Sequence, residues 1–419
     1  MKKKRIIFFI AVSLIGISGL RLFCSGAFDE DNLDDPGVCY NEKWLDNVIS
    51  AELPPDKIPK IIKVENCNAK LTIHTHVSAA SLHYSIKGLP EHAVKVKRSS
   101  SELVITEEEI RPKNRRSGKK KDRIIAYIDL VIPASASIDS LIVNSSIGRA
   151  EITGMSCTSF ALNAGINQVK VSDVKCKNLD VEGSIGFLEM KNILCDDCKI
   201  ETSVGDTRIE NISVENKTAL KTSVGSITVE NGNFKNPGLS INGGFNFKGT
   251  FEGKVKIESG IGHVDMDLQN SNKIDEFDIN GSVGNIELKN FTANMLKMKF
   301  SVGKTKIKNV LADKAFIETS NGSTYLDNCI LKDAAINLSI GKFDFSGILK
   351  GACSIERSIG SVNLHIKDSR NNYGVFFEDA SRSNIKINGE SIFTVGNQNA
   401  KNTLHIKGGN GSFSIKFLD

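Results

Sequence analysis

The chain has 419 residues, with 54 Lys and Arg against 49 Asp and Glu, and it combines a low aromatic content of 6% with 35 glycines. Its +5 charge comes from the first 27 residues, where Lys2, Lys3, Lys4, Arg5 and Arg21 have no acidic counterpart, so residues 28–419 hold 49 basic and 49 acidic side chains. Nucleic-acid binders show a basic domain or stripe, and this balance excludes that class of partner.

Residues 1–27 read as a secretory signal peptide: a basic start, an apolar run of 15 residues from Ile6 to Leu20, then Ser25, Gly26 and Ala27. The run falls short of the roughly 20 residues of a membrane-spanning helix, so no transmembrane span is expected in the mature chain. Cys24 would be the attachment point of a lipid anchor, but Arg21 and Phe23 occupy the places where that cleavage box takes Leu and a small residue. The expectation is an exported chain in the cell envelope, at the cell surface or secreted, with lipid anchoring as the alternative.

Residues 28–58 read as an acidic, proline-containing linker with a short helix from Asn41 to Leu53. Residues 59–135 form an N-terminal, strand-rich cap in which apolar and polar residues alternate, as in Lys70-Leu71-Thr72-Ile73-His74. Within the cap, Arg111, Lys113, Arg115, Arg116, Lys119, Lys120, Lys121 and Arg123 place eight basic residues in thirteen. The plain reading is an extended, solvated loop tip. The functional one is contact with an anionic wall polymer, lipid headgroups or an acidic partner.

From 136 to 366 the sequence repeats, mostly every 19 residues. A Ser-(Val/Ile)-Gly element aligns Gly148, Gly186, Gly205, Gly225, Gly262, Gly284, Gly303, Gly341 and Gly360, with Asn167, Gly244 and Gly322 completing the column. Counting from that glycine, +2 and +4 are apolar (Ile286 and Leu288, Phe343 and Phe345), and so are +12 and +14 (Cys198 and Ile200, Cys353 and Ile355). Each repeat thus supplies two main strands with one face inward. Position +6 is rich in Asn, Asp and Gly (Asp173, Asn192, Asn211, Asn231, Asn290, Asn309, Asn328) and precedes an apolar +7 column. A sharp corner with amides stacked along the ladder follows from that pattern; the alternative is an amide row that grips a glycan.

The expected fold is all-β, a single-chain β-solenoid of about 12–14 rungs. Roughly six inward side chains per rung at about 1.5–3 kcal/mol each fall short of the cost of ordering nineteen residues at about 1–2 kcal/mol each. A lone rung is therefore unfolded, and stacking is obligatory. A dozen rungs at about 4.8 Å make a rod roughly 60 Å long. Residues 367–419 read as irregular C-terminal rungs.

The stretch Ile125-Ala126-Tyr127-Ile128-Asp129-Leu130-Val131-Ile132-Pro133, followed by Leu141-Ile142-Val143 and Ser146-Ile147-Gly148, resembles the adhesin-like bacterial family of β-strand-repeat domains of unknown function. The resemblance covers residues 60–419 and rests on serial recurrence of short motifs. It implies a β-solenoid in the envelope and supplies no catalytic residues.

Chemistry-bearing clusters are few. Cys157, Cys176 and Cys195 share position +9 of successive rungs, and Cys195-Asp196-Asp197-Cys198 adds a C-x-x-C spacing. Core filling, one disulfide and a metal site are the three readings, with core filling in front because +9 elsewhere holds Val214, Ala293, Ala312 and Leu331. Export permits disulfides, but sequence does not fix a pairing among Cys39, Cys67, Cys157, Cys176, Cys195, Cys198, Cys329 and Cys353. His74 and His76 share a strand face with no third ligand nearby, and His263 points outward. No metal, cofactor or catalytic residue is assigned. The functional expectation is an exported non-enzymatic protein, an adhesin-like module that binds a cell-wall polymer, a surface glycan or an envelope protein. The alternatives are an envelope-stress or assembly component acting through a protein partner, whose strand edge would lie near Phe413–Leu418, and a glycan-active β-helix enzyme.

Overall fold

The computed structural model describes residues 47–89, 91–108, 126–269, 273–378, 383–391 and 400–418. The leader, Cys24, Cys39 and the basic residues of 111–123 lie outside these. Among the described residues, seventeen strands form one continuous sheet. A cap comprises β1 (Val48–Leu53), β2 (Ile61–Cys67), β3 (Lys70–His76), β4 (Leu82–Lys87), β5 (Val94–Arg98), β6 (Glu102–Glu107) and β7 (Tyr127–Pro133). The coil follows as β8 (Ile138–Thr153), β9 (Cys157–Lys235), β10 (Pro237–Glu252), β11 (Lys254–Asp267), β12 (Ile274–Lys332), β13 (Ala334–Lys350) and β14 (Ala352–Ile366). The end consists of β15 (Tyr373–Glu378), β16 (Ser383–Ile387) and β17 (Asn402–Phe417).

Strands as long as the 79 residues of β9 are several rungs of a solenoid joined through corners, each rung pairing in parallel with the next. The fold is the expected all-β solenoid. The two anticipated strands per rung are present, and a third short segment accompanies them: +7 and +9 also point inward, as Ile193 and Cys195 or Ile212 and Val214 do. That segment is laddered too, with Ile330 opposite Ile348 and Leu331 opposite Leu349. Three inward segments and three corners enclose a core of Ile, Val, Leu and Phe.

The column of corner glycines corrects one alignment. Gly243, not Gly244, occupies the corner, with φ 140° and its Cα over Gly225. The adjacent glycines are equivalent in composition, but only Gly243 puts Phe245 and Phe247 at the inward +2 and +4 places. A second correction concerns residues 48–53, anticipated as helix. Ile49, Ala51 and Leu53 alternate inward, and the segment pairs antiparallel with β4 from Val48↔Lys87 to Leu53↔Leu82. Alternation at period two outweighs helical propensity once a sheet edge is available.

The +6 corner forms the anticipated amide ladder in two flights. Asn192 donates from Nδ2 to Asp173 Oδ1 at 2.8 Å, Asn211 to Asn192 at 3.0 Å and Asn231 to Asn211 at 3.0 Å. The second flight runs from Asp267 through Asn290, Asn309 and Asn328, at 2.7, 2.8 and 2.9 Å. Each flight is directional and starts on a carboxylate that only accepts. All these asparagines hold φ between 52° and 62°, a region this side chain tolerates. Asp173→Asn should therefore be nearly neutral, because an amide oxygen can still accept. Asn192→Asp should cost roughly 1–3 kcal/mol at neutral pH, since its carboxylate would face that of Asp173. Urea midpoints at pH 7 check the difference, and equal midpoints for the two variants would contradict the ladder's direction.

Both ends of the glycine-corner column are closed by charged side chains. The column's carbonyls point toward the C-terminal end, so its first layer presents N–H groups and its last presents C=O groups. At the first layer, Asn68 and Ala69 donate their backbone N–H to Glu107 Oε2 at 2.8 and 3.1 Å, and Glu107 is buried. Near the last, buried Arg357 donates to the carbonyls of Gly360, Gly409 and Ser412 at 2.6, 2.9 and 3.1 Å and lies over the Phe413 ring. An acid at the donor end and a base at the acceptor end is the arrangement that favours helix termini, transferred to a stack of corners.

Candidate binding surface

The Ser-(Val/Ile)-Gly corner is tight because each glycine lies over a backbone carbonyl oxygen one rung below, that of another glycine from Gly205 onward; at Gly303, with φ 143°, a Cβ would overlap the Gly284 oxygen. With the glycine pressed inward, the residue before it has nowhere to go but out. Ile147, Ile166, Ile261, Val283, Val302, Ile340 and Ile359 are between 38 and 72% exposed, and Ile185, Val204 and Val224 are half-buried in the same row. The result is a line of branched aliphatic side chains along one edge of the rod, spaced by about one strand separation, 4.8 Å. Asn242 and Asn321 interrupt it. Monomeric proteins normally scatter exposed aliphatics singly, so this aligned row is the candidate contact surface. The sequence carried the signal in a position restricted to Val, Ile and Asn, although the corner itself needs only the glycine.

The broad faces are polar and self-neutralising. Lys170 pairs with Glu189 at 3.2 Å and Lys191 with Glu210 at 3.3 Å, each across one rung, while Lys199 reaches Glu182 at 2.7 Å and Asp180 at 3.3 Å. On the same kind of face Lys297 meets Glu276 at 2.6 Å and Lys299 meets Glu318 at 3.2 Å. The Glu182 hydrogen bond, with Asp180 and Glu201 close by, pushes the Lys199 pKa up against the opposing effect of desolvation. Exposed pairs of this kind contribute about 0–1 kcal/mol. Their larger effect is to cancel the field along the faces, which leaves the aliphatic edge as the distinctive feature.

The cysteines among the described residues belong to the core. Cys67, Cys176, Cys195, Cys198, Cys329 and Cys353 are buried, Cys157 is partly so, and all seven are free thiols. Cys198 has its pKa raised by its hydrogen bond to Cys195 and then by burial, and burial raises that of Cys176. Among the described residues, no group of three or more His, Cys, Asp or Glu is placed to hold a metal ion. His74 lies 3.7 Å from Asp129, and His76 faces the Ser78 hydroxyl. Among the described residues no helix is long and apolar enough to cross a membrane.

Burial pushes Cys67 up to about 12, and Cys329 and Cys353 up to about 11, from 9.0. A thiol whose folded pKa is raised stabilises the fold fully below pH 9, and that contribution is lost as pH rises through the folded value. Between pH 8 and pH 10.5 each of the three should forfeit roughly 2 kcal/mol. Urea midpoints should fall over that interval, less so in Cys329→Ala/Cys353→Ala; an equal fall in both chains would assign the alkaline loss elsewhere.

A family model described as Toastrack DUF4097 matches residues 60–243 and again 248–416. No curated protein matches. Two solved structures are similar at 10% identity. One, a putative cell adhesion protein from Clostridium sporogenes, aligns over 89% of this chain and 99% of its own with a TM-score of 0.17. The other, a putative adhesin from Bacteroides fragilis, aligns over 89% and 98% with a TM-score of 0.21.

Proposed function

The chain belongs to the Toastrack DUF4097 family, and we propose that it is an exported, non-enzymatic rod of the cell envelope or surface that binds an extended partner along its aliphatic edge. The observation that supports this is the row from Ile147 to Ile359. A row repeated at rung spacing offers many weak, equivalent contacts, which suits a polymer or a broad surface rather than a small molecule. The basic residues 111–123, joining β6 to β7, would add electrostatic attraction to an anionic wall polymer or glycan.

The test is binding of residues 28–419 to whole cells and purified wall material. Val283→Asn/Val302→Asn/Ile340→Asn/Ile359→Asn should fold, because Asn242 and Asn321 already stand at equivalent corners. It should lose at least tenfold in apparent affinity with little change in salt dependence. Lys119→Gln/Lys120→Gln/Lys121→Gln should instead flatten the salt dependence. If the edge variant binds like the parent, the aliphatic edge is not the contact; if no chain binds at all, adhesion is the wrong reading.

A further inference from the structure

At the C-terminal end the order of layers in space differs from the order along the chain. β14 is followed in sequence by β15 and β16, yet its neighbour is β17, in parallel register from Ala352↔Thr403 to Ile366↔Phe417. The other edge of β17 pairs with β15, from Tyr373↔Asn402 to Glu378↔Lys407, and with β16, from Ser383↔Gly411 to Ile387↔Ile415. The chain skips a layer, lays down the outermost one, then returns to fill the gap. The edge anticipated near Phe413–Leu418 is therefore occupied on both sides, and the outermost layer belongs to β15 and β16.

A layer filled out of order requires a slot. Its floor is the β14 edge, its roof is β15 with β16, which ladder on the inserted strand and close over it as it docks, and its lining accepts Leu404, Ile406, Phe413, Ile415 and Phe417, all buried. Register is set at one point by Gly411, which must lie over Gly360 because a Cβ there would overlap the Gly360 oxygen. Arg357 fixes the same corner through the Gly409 and Ser412 carbonyls, and the Tyr373 ring closes on Phe417 at 5.2 Å. Backbone pairing supplies the affinity and alternate side chains the selectivity, as in any strand-addition site. None of these contacts depends on the covalent path from β16 to β17.

We propose that this slot is a strand-acceptor site which takes residues 402–417 from its own chain or, reciprocally, from a second copy, giving a strand-exchanged dimer. Within one chain the tether supplies a high effective concentration, so the monomer prevails in dilute protein. Exchange in trans makes the same contacts and is selected by mass action as concentration rises. Opening a layer laddered on both edges is slow, so either form persists once made.

Glu356 and Lys407 face each other across β14 and β17 at 3.3 Å, on the outer surface. Full-length Glu356→Cys/Lys407→Cys, refolded at a series of concentrations, oxidised and run without reductant, should give intramolecular crosslinks when dilute and disulfide dimers when concentrated. The dimer-to-monomer ratio should rise about tenfold per tenfold protein while dimer is the minor species. Lys170→Cys/Glu189→Cys, one rung apart in β9, should crosslink only within the chain. Intramolecular products alone at every concentration overturn the proposal, and so do dimers that form equally with the β9 pair. Absence of any crosslink in the first variant denies the β14–β17 pairing and overturns it as well.

Discussion

Gly303→Ala is expected to destabilise the solenoid by at least about 4 kcal/mol, beyond the roughly 0.5–3 kcal/mol of ordinary substitutions, and Gly303→Val by little more. The obstacle is the first carbon added. Gly303 holds φ 143°, and its Cβ would overlap the Gly284 carbonyl oxygen, a backbone atom that no rotamer change can move aside. Strain at such a φ costs about 1–3 kcal/mol. The overlap is relieved only by parting two rungs, which breaks ladder hydrogen bonds worth about 1 kcal/mol each. Because a repeat array loses cooperativity when one interface fails, the damage should be local: proteolysis of the alanine variant should begin around residues 284–303 and leave both ends protected for longer. An alanine variant whose urea midpoint matches the parent's would show that the corner column does not constrain the stack. Ile340→Asn, one residue from another corner glycine, should by contrast stay within about 0.5 kcal/mol.

This contrast also shows what the sequence could reveal. Corners and inward columns recur every rung, so the same physical requirement is written a dozen times, and the asparagine ladder, the glycine column and the buried cysteines could be read from composition at fixed offsets. Gly243 against Gly244 was decidable as well, since only one choice keeps Phe245 and Phe247 in the inward columns. The aliphatic edge was visible as a restricted position but needed the corner's geometry to become an exposed row. What could not be read occurs once. Glu107 ends an ordinary-looking strand, Leu103-Val104-Ile105-Thr106-Glu107, and becomes a cap only because β2 and β3 lie between the β6–β7 layer and β8. Layer order at the two ends is set by contacts between segments tens of residues apart, and no local periodicity records it.

The C-terminal layers carry the other large expected effect. A chain ending at Ala400 should lose more structure than it loses residues. Removing 402–417 removes five inward side chains, Leu404, Ile406, Phe413, Ile415 and Phe417, whose burial contributes roughly 8–15 kcal/mol at about 1.5–3 kcal/mol each. Arg357, buried and with its pKa lowered by that burial, would lose its hydrogen bonds to the Gly409 and Ser412 carbonyls, so two charge-assisted contacts go with the strand. β15 and β16 would lose the strand with which they ladder, since their described pairings go to β17 apart from the Ile387–Glu390 bridge. Residues 373–391 should then exchange their amide hydrogens at unfolded rates although they remain in the chain, while Ala352–Ile366 keeps protection through β13. Retained protection over 373–387 in the shortened chain would mean that β15 and β16 can dock on β14 directly, and β17 would then be an insertion rather than the strand that holds the end together. The β14 edge argues against direct docking: its Gly360 corner is matched by a glycine at 411 in β17, whereas the glycine of β15, Gly374, stands opposite Thr403 and away from the corner, and β16 brings Ser383 to the corner position.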